Sequence, residues 1–180
     1  MRIPGFCFSG GVGVQSIQAN RGRALEDLLE TVFESAGPGV KIFRQNNKWV
    51  PLRSGRSFPY KGVPVDFVGV VSGIPVAVEC KETAGKSLPL NPSRFPEKEI
   101  LALREFSEAG GRAFVVAAFW RVDSLAVYRF ESFHRFWQQY KTGGRASLRP
   151  DDADAWAPLA DAAAIPNLFS EVCSIAGNRN

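Results

Sequence analysis

The chain has 180 residues, 45% hydrophobic and 22% charged, and carries a formal net charge of +4 at pH 7. A chain of this size can bury one core, and no apolar run approaches the ~20 residues that span a bilayer. Three scattered cysteines argue against a disulfide framework or a zinc site and fit a reducing compartment. The single histidine, His134, lies in an amphipathic helical pattern that favours a structural role. The sequence therefore predicts a cytoplasmic protein without a membrane partner, whose chemistry depends on carboxylates, lysine and metal.

The predicted elements begin after a Gly-rich segment. Residues 1–19 are expected to form a flexible tail, and apolar residues at helical spacing predict a helix over Asn20–Ala36. The other predicted elements are strands at Val65–Val71, Ile74–Lys81, Ala113–Phe119 and Leu125–Phe130, helices at Glu97–Ala109, Ser132–Tyr140 and Asn167–Ile175, and a proline-rich loop at Lys86–Pro96. This order predicts an α/β fold with a mixed central β-sheet flanked by helices, in one domain over residues 20–180.

The segment Gly37–Val65 is basic throughout, and its short apolar runs Val40–Phe43 and Lys48–Leu52 are expected to be strands of a protruding ribbon. It contains no acidic residue and six basic ones, which are Lys41, Arg44, Lys48, Arg53, Arg56 and Lys61, with Phe43, Trp49, Phe58 and Tyr60 between them. Cations contact phosphates and aromatic rings stack on bases, so this mixture favours a nucleic-acid surface.

A β-hairpin is predicted directly after the basic segment. Its two β-branched runs are separated by Ser72-Gly73, a dipeptide suited to a tight turn. Pairing across this turn places Asp66 opposite Glu79, and Lys81, two residues further on, points to the same face of the sheet. Two facing carboxylates repel each other unless a cation lies between them. The hairpin therefore predicts a site for a divalent metal ion, with a lysine beside it.

These motifs resemble one known family, the RecU-type Holliday junction resolvases within the PD-(D/E)XK nuclease superfamily. A carboxylate followed by Glu-x-Lys on the neighbouring strand is the superfamily pattern. The resemblance to RecU is carried, in chain order, by Asn20-Arg21-Gly22 with Leu25-Glu26, Asp66-Phe67-x-Gly69, Glu79-x-Lys81-Glu82-Thr83, Leu88-Pro89-Leu90, Gly110-Gly111-x-x-Phe114, Phe133-x-x-Phe136-Trp137 and Gly144-Arg145-x-Ser147-x-Arg149. These blocks run from residue 20 to about residue 150, so the resemblance covers most of the chain.

The resemblance implies a set of site residues. Asp66, Glu79 and the backbone carbonyl of Cys80 would hold Mg²⁺, for which Mn²⁺ can substitute, because hard cations prefer oxygen ligands. Lys81 would orient the attacking water and stabilise the transition state, and Glu26 would reach the edge of the site. Glu97 aligns with a glutamine of the family and is a further candidate metal ligand. Weaker candidates for support of the metal site are Glu82 and Thr83.

The resemblance also implies a restriction-endonuclease-like sheet with a stalk over about residues 43–63, and a homodimer that places paired nicks in a four-way DNA junction. Recombination proteins are candidate partners. The residues expected to bind DNA are Arg21, Arg23, Lys41, Arg44, Lys48, Trp49, Arg53, Arg56 and Lys61. Two alternatives stay open: another nuclease of the same superfamily that acts on duplex or flap DNA, and a junction-binding recombination factor with a vestigial site.

Overall fold

The structure is a computed structural model that describes the backbone of residues 14–45, 49–51, 57–59 and 64–177, and the side chains of residues 23–45 and 64–172. Within these ranges, none of the helices has both the length and the apolar character that a membrane crossing requires.

A six-stranded mixed sheet forms the centre of the described structure. The strands in chain order are β1 (Val40–Arg44), β2 (Trp49–Pro51), β3 (Ser57–Pro59), β4 (Phe67–Val71), β5 (Ile74–Thr83), β6 (Leu88–Pro89), β7 (Arg112–Phe119), β8 (Ser124–Arg129), β9 (Ser147–Leu148) and β10 (Ala155–Pro158). The central order is β1-β4-β5-β7-β8-β10, in which only β5 and β7 pair in parallel. β2 pairs with β3 and β6 pairs with β9 in two small ribbons. The predicted mixed α/β sheet is confirmed.

Helices cover both faces of this sheet and divide the core in two. The helices are α1 (Val14–Ser35), α2 (Glu97–Glu108), α3 (Phe130–Lys141) and α4 (Ile165–Gly177), with short 3₁₀ helices at Trp120–Val122, Pro150–Asp152 and Leu159–Ala164. Apolar side chains of α1 and α4 pack on one face, and those of α2 and α3 pack on the other. β7 lies between these layers and is buried from Ala113 to Phe119, as its continuous apolar run predicts.

The hairpin that carries the predicted site has the register expected from its turn. β4 and β5 pair from Val71↔Ile74 to Phe67↔Val78. Ser72 and Gly73 both have positive φ angles, 50° and 82°, which are typical of the tight turns that match the twist of a hairpin. Gly69 has a second role, because a Cβ there would lie 2.1 Å from the Lys41 carbonyl oxygen of β1.

The basic segment differs from its predicted arrangement. β1, expected in the ribbon, is an edge strand of the central sheet and pairs with β4 over its whole length. The ribbon consists instead of β2 and β3, joined in register from Trp49↔Pro59 to Pro51↔Ser57. The sequence could not distinguish these pairings, because short strands with little periodicity can join either sheet.

Two further boundaries differ from the sequence prediction. Helix α1 begins at Val14, so residues 14–19, which were assigned to the tail, are helical. The prediction placed the start too late because Asn20 and the glycines before it suggested a break. The edge strand β10 was not predicted, since it is short and lacks β-branched residues.

Candidate active site

Asp66 lies directly before β4, at the point where the ladder between β4 and β5 ends. Its backbone N–H donates a hydrogen bond to the Val78 carbonyl at 3.1 Å, and its carboxylate Oδ2 accepts one from the Cys80 N–H at 2.7 Å. The regular pairing stops at Phe67↔Val78, so Asp66 is not a ladder partner of Glu79. Its side chain is nevertheless fixed against β5, beside the residues predicted to share its site.

Glu79 and Lys81 project from β5 and meet a third charged residue from α2. Glu79 is only 4% exposed. The Lys81 ammonium lies 2.5 Å from Glu79 Oε1 and 2.7 Å from Glu99 Oε2, and it sits 5.5 Å from the centre of the Phe95 ring. Lys81 therefore bridges two carboxylates from different elements.

The electrostatics of this cluster are dominated by burial and excess negative charge. Burial raises the pKa of Asp66 to about 6, the Cys80 N–H opposes this, and the charge of Glu26 adds to it. Burial and the charge of Asp66 raise the pKa of Glu79 well above its usual range. For Lys81, burial works against the charged form, but Glu79 and Glu99 outweigh it and raise the pKa. The lysine thus stays charged between acids that repel one another.

Glu26 of α1 lies near enough to Asp66 to influence its pKa, as the prediction for the edge of the site requires. Its carboxylate forms an ion pair with Arg44 of β1. The same guanidinium pairs with Asp27 at 2.6 Å and with Glu30 at 3.0 Å. Arg44 was predicted to contact DNA, but the structure turns it towards three acids of α1. The reason is its position on β1, two residues after the buried Ile42, which directs it to the face covered by α1.

Helix α2 places Glu97 in a different environment from Glu99. Glu97 is exposed and lines a separate cavity with Ile100, Leu101 and Arg104. Residues two apart on a helix point in nearly opposite directions, so Glu97 cannot reach Lys81 when Glu99 does. Glu99 is the site residue that sequence reasoning missed. The sequence signal for Glu99 was that it is acidic and lies half a helical turn after Glu97, the position matched to the family glutamine.

The remaining predicted residues fall into three groups. Glu82 accepts a hydrogen bond from Trp120 Nε1 at 3.0 Å, and Thr83 Oγ1 donates to the Ser87 carbonyl at 3.2 Å, so both stabilise the end of β5. Arg23 and Lys41 are exposed. Arg21 and Trp49 lie in α1 and β2 without described side chains, while Lys48, Arg53, Arg56 and Lys61 lie outside the described residues. Among the described residues, no set of three or more His, Cys, Asp and Glu side chains is arranged to hold a metal ion.

The sheet and its buried acid–lysine cluster define a nuclease-like α/β protein, and sequence comparisons give the family. The family model for Recombination protein U matches residues 53–158. The Holliday junction resolvase RecU of Listeria welshimeri is 33% identical over 141 residues, which is 71% of this chain and 69% of that protein. The RecU resolvase of Pediococcus pentosaceus is 28% identical over 150 residues, or 76% of this chain and 74% of that protein. The chain belongs to the RecU family.

One solved structure is similar at a lower level. It is that of Hjc, a Holliday junction resolvase from Archaeoglobus fulgidus, with a TM-score of 0.46 and 19% sequence identity. The match covers 78% of this chain and 98% of that chain.

Proposed function

We propose that this protein is a metal-dependent endonuclease that resolves four-way DNA junctions by paired nicks during recombination and repair. The observation that carries the proposal is the cluster of Asp66, Glu79 and Lys81 at the end of the β4–β5 ladder, in a chain of the RecU family. The named relatives are bacterial Holliday junction resolvases, which favours DNA junctions as substrate and the bacterial cytoplasm as location.

A divalent metal ion fits the acids of this site. Glu79 is buried and Asp66 is half-buried, and the charge of Asp66 makes ionisation of Glu79 less favourable. Extended residues direct their N–H and C=O groups to the same side, and the Cys80 N–H points to Asp66, so the Cys80 carbonyl is directed there as well. Two carboxylates and a carbonyl are hard oxygen donors, which suit Mg²⁺, or Mn²⁺ in its place. Such an ion would neutralise charge on the scissile phosphate and activate a water molecule.

The protein's own side chains would position the substrate and its water. Lys81 is held by Glu79 and Glu99 and remains protonated, so it would act as a fixed positive charge towards the developing negative charge of the phosphate. Glu26, restrained by Arg44, would hold water at the edge of the site. Glu99 would set the orientation of the lysine rather than bind the ion directly.

DNA binding and assembly follow from charge and symmetry. Arg23 and Lys41 are exposed cations, and Lys48, Arg53, Arg56 and Lys61 add further positive charge in the sequence, so these residues are our candidates for phosphate contacts. A four-way junction has approximate two-fold symmetry, so a homodimer with one site in each protomer would place two nicks symmetrically. Recombination proteins are further candidate partners.

Cleavage assays on defined DNA substrates test the proposal. The purified protein with Mg²⁺ should nick a mobile four-way junction symmetrically and leave linear duplex and flap substrates largely intact. Asp66→Asn should abolish nicking, whereas Asp161→Asn, at an exposed acid in a 3₁₀ helix, should not. Equal cleavage of duplex or flaps would favour a different nuclease of the superfamily. Junction binding with no cleavage by the wild type would favour a binding factor.

A further inference from the structure

A cavity of about 330 Å³ opens beside Lys81. Its lining joins Cys80, Lys81 and Glu82 of β5 to Asn91, Ser93 and Arg94 of the loop that precedes α2. None of the three loop residues belongs to the motifs that predicted the site. The cavity therefore brings a second segment of the chain against the proposed catalytic lysine.

Arg94 is held at this cavity by its backbone and its side chain. Its N–H donates to Asn91 Oδ1 at 2.9 Å, and its guanidinium Nη1 donates to the Glu82 carbonyl at 2.8 Å. The loop is anchored on both sides of Arg94, because Leu90 and Phe95 are buried in the core between the sheet and α2 and α3. The guanidinium is thus presented on a rigid support, with one of its five N–H donors used by Glu82.

The charge pattern around the cavity sets Arg94 apart from the other cations. Lys81 is shared by two carboxylates, and Arg44 is shared by three. Arg94, in contrast, forms no ion pair with any side chain in the described part of the protein. Lys81 lines the cavity, but two carboxylates already balance its charge. Arg94 lines the same cavity, and no acidic side chain in the described part of the protein balances its charge, so it is available to bind a phosphate.

We propose that Arg94 binds a phosphate of the DNA strand lying against the catalytic cluster, with the hydroxyl of Ser93 as an auxiliary donor. This inference rests on the proposed nuclease function and adds a substrate-binding group to it. A guanidinium can form two parallel hydrogen bonds to a phosphate, which fixes the orientation of the strand as well as its position. The exposed Ser93 hydroxyl now donates to Asn91 Oδ1 at 2.7 Å and can rotate towards a ligand.

Steady-state cleavage and salt-dependent binding of a synthetic four-way junction test this assignment. Arg94→Gln should lower kcat/KM by about 10–100-fold, as expected for loss of a charge-assisted hydrogen bond. In Ca²⁺, which permits binding to be measured without Mg²⁺-supported cleavage, the slope of log binding constant against log salt should become shallower by about one. Arg94→Lys should keep the slope and recover part of kcat/KM. Arg135→Gln is the matched control, since Arg135 is exposed on α3 and does not line this cavity.

The outcomes separate this proposal from the function on which it rests. If the wild type nicks junctions and Arg94→Gln matches it in both kcat/KM and salt slope, Arg94 is not a phosphate ligand. If Arg94→Gln loses activity only because it unfolds, its melting temperature will fall. In that case, a salt slope kept by Arg94→Lys and a lower kcat/KM for Ser93→Ala would support the proposal. A shallower salt slope for Arg94→Lys together with an unchanged kcat/KM for Ser93→Ala would overturn it. If the wild type cleaves no DNA, the proposed function fails, while the binding slope in Ca²⁺ still decides whether Arg94 contacts phosphate.

Discussion

Replacing Asp66 by asparagine changes the charge of the site while leaving its shape nearly intact. The asparagine side-chain oxygen can still accept the hydrogen bond that the Cys80 N–H gives to Asp66 Oδ2 at 2.7 Å. What the substitution removes is a half-buried negative charge next to Glu79 and Glu26. We therefore expect Asp66→Asn to abolish cleavage and, without metal, to make the protein more stable.

The magnitude follows from the pKa of Asp66, which rises from 3.8 to about 6 in the folded protein. One pKa unit corresponds to about 1.4 kcal/mol, so ionising Asp66 costs the folded state about 3 kcal/mol at pH 8. Because the pKa of this carboxyl is raised on folding, its ionisation destabilises the folded state. Its contribution to stability is fully present below pH 3.8 and is lost as the pH rises through about 6. The gain from Asp66→Asn should accordingly shrink as the pH falls from 6 to 4.

Urea unfolding in EDTA at pH 8 and at pH 4 measures both the gain and its pH dependence. Asp66→Asn should raise the free energy of unfolding by up to about 3 kcal/mol at pH 8 and by little at pH 4. Added Mg²⁺ should stabilise the wild type but not the variant. Asp161→Asn, at an exposed acid, should change stability by less than about 0.5 kcal/mol. A variant no more stable than the wild type at pH 8 would refute the picture of an electrostatically strained site.

Four other predictions use the same structure. Lys81→Ala should abolish cleavage but preserve junction binding in a gel-shift assay, and cleavage at the wild-type rate would remove Lys81 from the mechanism. Gly69→Ala should lower the free energy of unfolding by about 1–3 kcal/mol because its Cβ would strike the β1 backbone, whereas Gly37→Ala, which has open space around it, should not. Arg44→Met should destabilise the protein by about 1–3 kcal/mol in thermal unfolding, because three acids lose their cation, and no change would contradict that role. Junction affinity should fall steeply with salt in titrations, and a flat profile would argue against phosphate contacts.

The hairpin was predictable because local rules determine it. A two-residue turn fixes the register of both strands, and the period of two then fixes the face on which each side chain lies. Asp66, Glu79 and Lys81 were therefore brought together by sequence reasoning alone. The end of the ladder was not predictable in the same way. The Asp66 N–H donates to the Val78 carbonyl, so Asp66 does not form the regular pair with Glu79 that the register would give.

Glu99 was missed because the phase of a helix relative to a sheet is not a local property. Its acidity is visible in the sequence, but the loop of residues 90–96 decides which side of α2 faces β5. In the structure, Phe95 is buried two residues before the helix and anchors the loop in the core. Glu97 and Glu99 are only two residues apart, so a small error in matching this loop to the family pattern selects the exposed Glu97 instead of Glu99, which contacts Lys81.

The two arginines near the site have different surroundings, which composition alone does not reveal. Arg44 lies in the basic segment and looks like a phosphate contact, yet its strand directs it towards three acids of α1. Arg94 lies in a segment with no basic bias, yet a backbone carbonyl holds it at the cavity beside Lys81 without an acidic partner in the described structure. The free energy that a cation offers to a phosphate depends on the charges already bound to it. At this site, the position of each arginine relative to its acids matters more than the number of basic residues nearby.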